Sequence, residues 1–300
     1  MRKFLITAAV LVALIVGVGL YFARQAAELG VEAVTEDVAM ITGFGGNVGV
    51  VRTGAGTVII DTMTFQFQGD AIREQAEALT GEPVVMIVNT HYHSDHTHGN
   101  PAFAASTRVV ATDRTAEYLR EFDADYWAGE AAALLPNETF GHERTIRIGG
   151  KTVRLLHPGR GHTGGDLVAW IEEDNVLHMG DLYFNRLYPN IDLEAGGSVR
   201  EWSGALDVVM AAFPGARIIP GHGPLSDEQG LRGFQAFITE LAAVGQDAAA
   251  AGKSLDETLR DADLTADAGY EPLFEVPLIG GLNREFVITR AWEEATGAVQ

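Results

Sequence analysis

Apolar positions in this chain follow two patterns: short continuous runs that end in glycine, histidine or aspartate, and longer stretches where they recur every three or four residues. The first pattern predicts strands covered on both faces, the second helices with one buried face. NVGVVRTGAGTVIIDT (47–62) holds two β-rich runs around Gly54-Ala55-Gly56 and predicts a hairpin. GDAIREQAEALT (69–80) has helical spacing at Ile72, Ala76 and Leu79, and PVVMIVNT (83–90) reads as a buried strand. RVVAT (108–112) predicts another strand, followed by a short helix over 113–121 capped by Asp113. Two further hairpins are expected, over 145–157 turning at Gly149-Gly150 and over 166–181 turning near Asp174-Asn175. Residues 199–213, 227–250 and 284–296 have helical character, and RIIPGH (217–222) is a short strand running into a loop. The strand-rich grammar occurs twice, which suits an α/β protein of four layers, two sheets flanked by helices.

The two ends of the chain add to this picture. After Met1-Arg2-Lys3 comes an uncharged apolar run over 4–23. Such a run is long enough to span ~30 Å of hydrocarbon as a helix, and the basic residues before it favour export of the rest of the chain. A cleaved signal peptide is the competing reading, although its apolar region is usually shorter, ~7–15 residues. The expected organisation is an anchor or signal over 1–23, a linker over 24–37, a catalytic domain over 38–240 and a C-terminal helical extension over 241–300. Either reading of the N-terminus places the body outside the cytoplasm, periplasmic or otherwise extracytoplasmic, and membrane-attached if the helix is retained.

Composition narrows the chemistry. The chain has 300 residues, 47% of them hydrophobic, with 35 glycines and a formal net charge of −20. That charge argues against a nucleic-acid partner, which needs a basic footprint. Cysteine is absent, so thiolate catalysis, disulfides and cysteine–zinc sites are excluded.

Four predicted strand ends each deliver a ligand-capable residue beside small neighbours. The first is His91-Tyr92-His93-Ser94-Asp95-His96; then come Gly161-His162, Gly180-Asp181 and Gly221-His222-Gly223. His91 and His93, two apart in extended chain, point to the same side, and Asp95 and His96 lie beyond them in the turn. Convergence of these side chains predicts a pair of divalent metal sites. Zinc suits imidazole and carboxylate ligation and keeps an open position when catalytic; iron or manganese accepts the same ligand types.

HYHSDH, followed in order by GHTGGD, GD and GHG and preceded by VIIDT (58–62), resembles the metallo-β-lactamase superfamily over about residues 38–240. The resemblance implies an αββα sandwich with two zinc ions at the edge between the sheets. It implies that His91, His93 and His162 hold the first ion, that Asp95, His96 and His222 hold the second, and that Asp181 bridges both. Asp61 is implied to support a ligand imidazole from outside the site. The implied activity is hydrolysis of a small-molecule ester, thioester, lactone or lactam by a water whose pKa falls from ~15.7 to near neutrality. Asp95 would orient that water and carry a proton to the leaving group. Zinc β-lactamases usually carry cysteine or serine where this chain has Asp181, so the aspartate resembles the thioesterase, lactonase and phosphodiesterase branches instead. A β-lactamase proper is one alternative; a mono-iron persulfide dioxygenase, which retains fewer ligands, is the other.

The remaining candidates concern the pocket. His98 stands where the family commonly has glycine, and is expected in the pocket wall. Tyr183, Asn185 and Arg186, just after Asp181, are expected either to line the substrate site or to pack, and Phe184 and Tyr188 share that choice. Tyr126 and Trp127 are candidates for a lid. His142 and His157 read as ordinary loop or strand-end residues, and His178 as a satisfied core histidine.

Overall fold

A computed structural model describes residues 28–276 and 280–298; the expected anchor or signal helix over 1–23 lies outside the described residues. Among the described residues, no helix is long and apolar enough to cross a membrane. The first sheet has seven strands in chain order: β1 (Gly30–Ala33), β2 (Val38–Thr42), β3 (Val48–Arg52), β4 (Thr57–Ile60), β5 (Val84–Val88), β6 (Arg108–Thr112) and β7 (Glu138–Phe140). The second has five: β8 (Glu143–Ile148), β9 (Lys151–Leu156), β10 (Val168–Ile171), β11 (Val176–His178) and β12 (Arg217–Ile219), with β12 at one edge and β8 at the other. β1 to β4 form an antiparallel meander, whereas β4 to β7 run parallel. Parallel neighbours need crossover connections. Helix α1 (Gln66–Thr80) supplies one between β4 and β5, and α3 (Asp113–Glu121) another between β6 and β7; the short α2 (Ser94–Thr97) lies between β5 and β6.

The continuous apolar runs are explained by two cores meeting on opposite faces of the same strand. Val58 and Ile60 of β4 face the second sheet, where Val153, Leu155, Ala169 and Ile171 join them. Ile59, between them, points the other way into a core with Ile72 and Ala76 of α1. On the far side of the second sheet, α4 (Val199–Ala212), α5 (Glu228–Ala251) and α7 (Arg284–Thr296) bury Trp202, Phe234, Phe237 and Val287. Helix α6 (Leu255–Asp261) and the hairpin β13 (Phe274–Val276) with β14 (Gly280–Leu282) connect α5 to α7. The layers are therefore helix, sheet, sheet, helix.

Three expectations need correction. Helix α3 is capped by Thr112, whose side chain accepts from the Thr115 amide; Asp113 is already helical, where its charge still favours the N-terminus. The segment taken as linker contains β1, which pairs with β2 and extends the sheet. The boundary placed at residue 240 falls inside α5, which runs unbroken to Ala251. There Gly245 lies against α7 so closely that an added Cβ would sit 2.3 Å from the Ala291 carbonyl oxygen.

The C-terminal helices thus share a core with the second sheet. Truncating fully buried Phe237 to alanine should cost about 3–5 kcal/mol through lost burial and a residual cavity. Urea unfolding should show one transition moved to lower denaturant; two separate transitions would contradict a shared core.

Candidate metal centre

The C-terminal ends of β5, β9, β11 and β12 lead into the loops that carry the seven predicted ligands. Past β5, the chain presents His91, turns into α2 at His93 and places Asp95 and His96 in that single helical turn. Past β11, Asp181 sits in a 3₁₀ turn over Gly180–Leu182. His162 and His222 lie in the loops after β9 and β12. Glycine allows these loops to approach. An added Cβ at Gly221 would lie 2.1 Å from Asp181 Oδ1, and one at Gly46 the same distance from the His96 ring. Gly180 has φ of +50° and packs against Thr90, so both its backbone and its surroundings exclude a side chain.

The donors form two groups, His91, His93, His162 and Asp181 in one, Asp95, His96 and His222 in the other, with the donor atoms of each within 4.8 Å of one another. Asp181 reaches both. Its Oδ2 lies 3.8 Å from His91 Nε2 and 3.5 Å from His162 Nε2, while its Oδ1 lies 3.0 Å from His96 Nε2 and 3.5 Å from His222 Nε2. Asp95 Oδ2 adds a contact of 3.2 Å to His222 Nε2.

The outward ring nitrogens show which electron pairs face inward. His162 Nδ1 donates to the Asn190 carbonyl at 2.9 Å, and His93 Nε2 to Asp192 Oδ2 at 2.9 Å. His96 Nδ1 donates to Asp61 Oδ2 at 2.7 Å. Thr90 gives its hydroxyl hydrogen to Asp61, so its oxygen accepts from His91 Nδ1 at 3.0 Å. With those nitrogens committed, His93 Nδ1 and His162 Nε2 face each other at 2.8 Å, and in the neutral rings both carry lone pairs. Two lone pairs at that distance repel unless a cation lies beside them. His91 Nε2, buried, finds no hydrogen-bond partner, and an orphaned buried polar atom is costly. The donor set therefore fits divalent metal ions.

Asp61 occupies the supporting position expected for it. It receives the Thr90 amide at 2.8 Å as well as the two side-chain contacts, and holds φ of +64°, a conformation a non-glycine residue rarely adopts. Asp192 was not anticipated. It orients His93, accepts from the Tyr92 hydroxyl and is fixed by the Ala195 amide. It lies about a hundred residues from Tyr92 and His93, so no local spacing announces it.

Burial and neighbouring imidazoles hold His91 well below its usual range and His162 down to about 4, so both are neutral. For His96 and His222 burial again opposes charge, but the Asp181 and Asp95 carboxylates outweigh it, raising His96 well above its usual range and His222 to about 9. The same imidazoliums hold Asp181 and Asp95 below the ordinary carboxylate range despite burial. Without metal, then, protons on His96 and His222 balance the two carboxylates.

A groove of about 640 Å³ opens beside Asp95 and His222. None of the four residues expected in the pocket lines it. Tyr183 is buried, its hydroxyl 2.8 Å from Ser226 Oγ and its ring against Phe234. Asn185 and Arg186 line a separate groove with Ser226 and Tyr270. His98 stacks on Tyr126 at 3.4 Å and pairs with Asp123 at 2.7 Å, which also accepts from Trp127 Nε1, so these residues clamp one another. After Asp181 it is Phe184 that stacks on His222, and Leu187 that reaches the groove. His178, as expected, is buried with Nε2 bonded to the Asn47 carbonyl.

Residues 41–222 match the family model of the metallo-beta-lactamase superfamily, and the chain belongs to that superfamily. A metallo-beta-lactamase type 2 from Bacillus sp. (strain 170) is 23% identical over 181 residues, 60% of this chain and 67% of that protein. Its namesake from Elizabethkingia meningoseptica is 22% identical over 204 residues, 66% and 77% of the two chains. Among solved structures, a metallo-beta-lactamase from Pontibacter korlensis superposes with a TM-score of 0.62 at 24% identity, covering 71% of this chain and 99% of that one. The DIM-1 metallo-beta-lactamase gives 0.61 at 23% identity, covering 71% and 97%. These likenesses are of fold.

The site's charge and crowding lead to two measurements. Metal entering the Asp95–His96–His222 group must displace two protons, so its affinity should rise with pH toward about 9, whereas His91 and His162 are already neutral at pH 7. Zinc titration of chelator-stripped protein at several pH values should separate the groups; the same pH dependence for both would contradict the assignment. Gly221→Ala should displace Asp181 and lower bound metal in elemental analysis while leaving the far-ultraviolet circular dichroism intact.

Proposed function

We propose, with membership of the metallo-beta-lactamase superfamily as the premise, that this chain is a dinuclear zinc hydrolase of a small-molecule ester, thioester, lactone or lactam. One observation carries the reading: a single buried carboxylate, Asp181, faces donors of both groups, one oxygen toward each. A mononuclear site needs no such carboxylate, and the second donor group favours hydrolysis over mono-iron oxidation.

His91, His93 and His162 would hold one ion, Asp95, His96 and His222 the other, with Asp181 between them. Bound there, the ions would supply Lewis acidity and a nucleophilic water at neutral pH. The chain's own part lies in position and proton handling. Asp192, Asn190, Asp61 and Thr90 fix the ring orientations, so the donors need little rearrangement. Asp95 is the ligand carboxylate that lines the groove. From there it can accept a proton from the attacking water and return it to the leaving group. The apolar run over 4–23 supports an extracytoplasmic location for this chemistry.

Zinc-loaded protein should cleave at least one of four carbonyl classes screened side by side, lose that activity to a chelator and regain it with zinc. Asp95→Asn should lower kcat by about 10²–10⁴-fold, the usual range for a general acid–base group. Activity that survives complete metal removal would refute the proposal.

A further inference from the structure

The groove beside Asp95 and His222 has walls of unlike origin. Phe44 comes from the β2–β3 turn, Leu187 from the loop after Asp181, and Leu273 and Phe274 from the C-terminal hairpin. That hairpin lies beyond the residues that match the family, 41–222. Its stem is tied to the loop after Asp181, the Tyr188 amide donating to the Glu271 carbonyl at 3.0 Å and the Glu271 amide to the Arg186 carbonyl at 3.1 Å. The C-terminal wall is therefore held in register with the metal site by backbone hydrogen bonds.

Two properties of the groove stand out. Phe44 and Phe274 are 52% and 54% exposed, and Phe44 continues into a stacked row with Phe65 and Phe67 at centroid distances of 6.0 and 5.3 Å. A grouped apolar rim at a cleft marks a binding surface more often than a solvated one. The second property is charge. The ionisable side chains in the wall are Glu32, Asp95 and His222, and no lysine or arginine of the described residues lines it. A substrate carboxylate seated against Phe44, Leu273 and Phe274 would lose water with no lysine or arginine to pair with, a heavy penalty.

We propose that the C-terminal hairpin completes the substrate groove, and that Phe274, Leu273 and Phe44 select an uncharged ester or lactone with a bulky apolar acyl group over an anionic one. The selection rests on the hydrolase reading; the groove itself can be tested without turnover.

Three probes share one leaving group: para-nitrophenyl acetate, para-nitrophenyl hexanoate and the mono-para-nitrophenyl ester of adipic acid, which matches hexanoate in chain length but ends in carboxylate. Hexanoate should exceed acetate in kcat/KM by at least ~10-fold, the scale of a few methylenes in an apolar pocket. Adipate should fall at least ~10-fold below hexanoate. Phe274→Ala should shrink the hexanoate preference mainly through KM, and Phe274→Arg should improve adipate relative to hexanoate. Equal rates on all three esters, or a preference for adipate, would overturn the proposal. Binding of the unreactive amide N-benzylhexanamide, followed by saturation-transfer NMR, reads the groove alone. It should weaken at least ~10-fold in Phe274→Ala, on the same pocket arithmetic. Binding that ignores Phe274, or a dimer in light scattering that Phe274→Ala dissociates, would also overturn it. If the amide binds as expected while no ester is cleaved, the ester selection fails and the groove assignment stands; the hydrolase reading fails only if thioesters, lactones and lactams also go uncleaved.

Discussion

A carboxylate removed from water needs partners, and Asp181 has them on both sides. It is almost fully buried, and a lone charge in that position would be expelled or neutralised. Here imidazoles of two donor groups face its two oxygens. The loops from β5, β9, β11 and β12 must all close around it, so the position of one side chain couples the edges of both sheets.

That closure depends on what the loops omit. Gly46, Gly180 and Gly221 stand where a methyl group would strike His96, Thr90 or Asp181. Behind the ligands, a second ring of polar groups uses the remaining nitrogen valences. Asp61 serves His96, Thr90 serves His91, Asp192 serves His93 and the Asn190 carbonyl serves His162. With each outward nitrogen donating, the inward nitrogens are fixed in direction before any cation arrives. The strained backbone at Asp61 is held by the same network. Order is thus built into the protein, and metal entering the second group replaces the protons on His96 and His222.

Legibility in the sequence followed the range of the forces involved. Strands with two buried faces gave continuous apolar runs, and the helix over 284–296 was readable to the residue because its caps and periodicity are local. The seven donors were readable because each closes a strand beside glycine or within one short motif. Their supports divide by the same logic. Asp61 was visible at the end of β4, whereas Asp192 acts on Tyr92 and His93 across a hundred residues and left no pattern. The residues expected near the pocket sit outside this groove for a related reason. Direction within the loop after Asp181 is set by packing, which turns Tyr183 into the core and brings Leu187 to the groove. The C-terminal wall was hidden because no sequence signal ties Phe274 to a site built from residues 91–222.

The central claim is that Asp181 makes one site of two donor groups. Elemental analysis of zinc-loaded wild type and Asp181→Ala, each after exhaustive dialysis, tests it directly. The account predicts two zinc ions per wild-type chain and no more than one in the variant, with folding retained. Two tightly held ions in Asp181→Ala, or a single ion in the wild type at saturation, would contradict it.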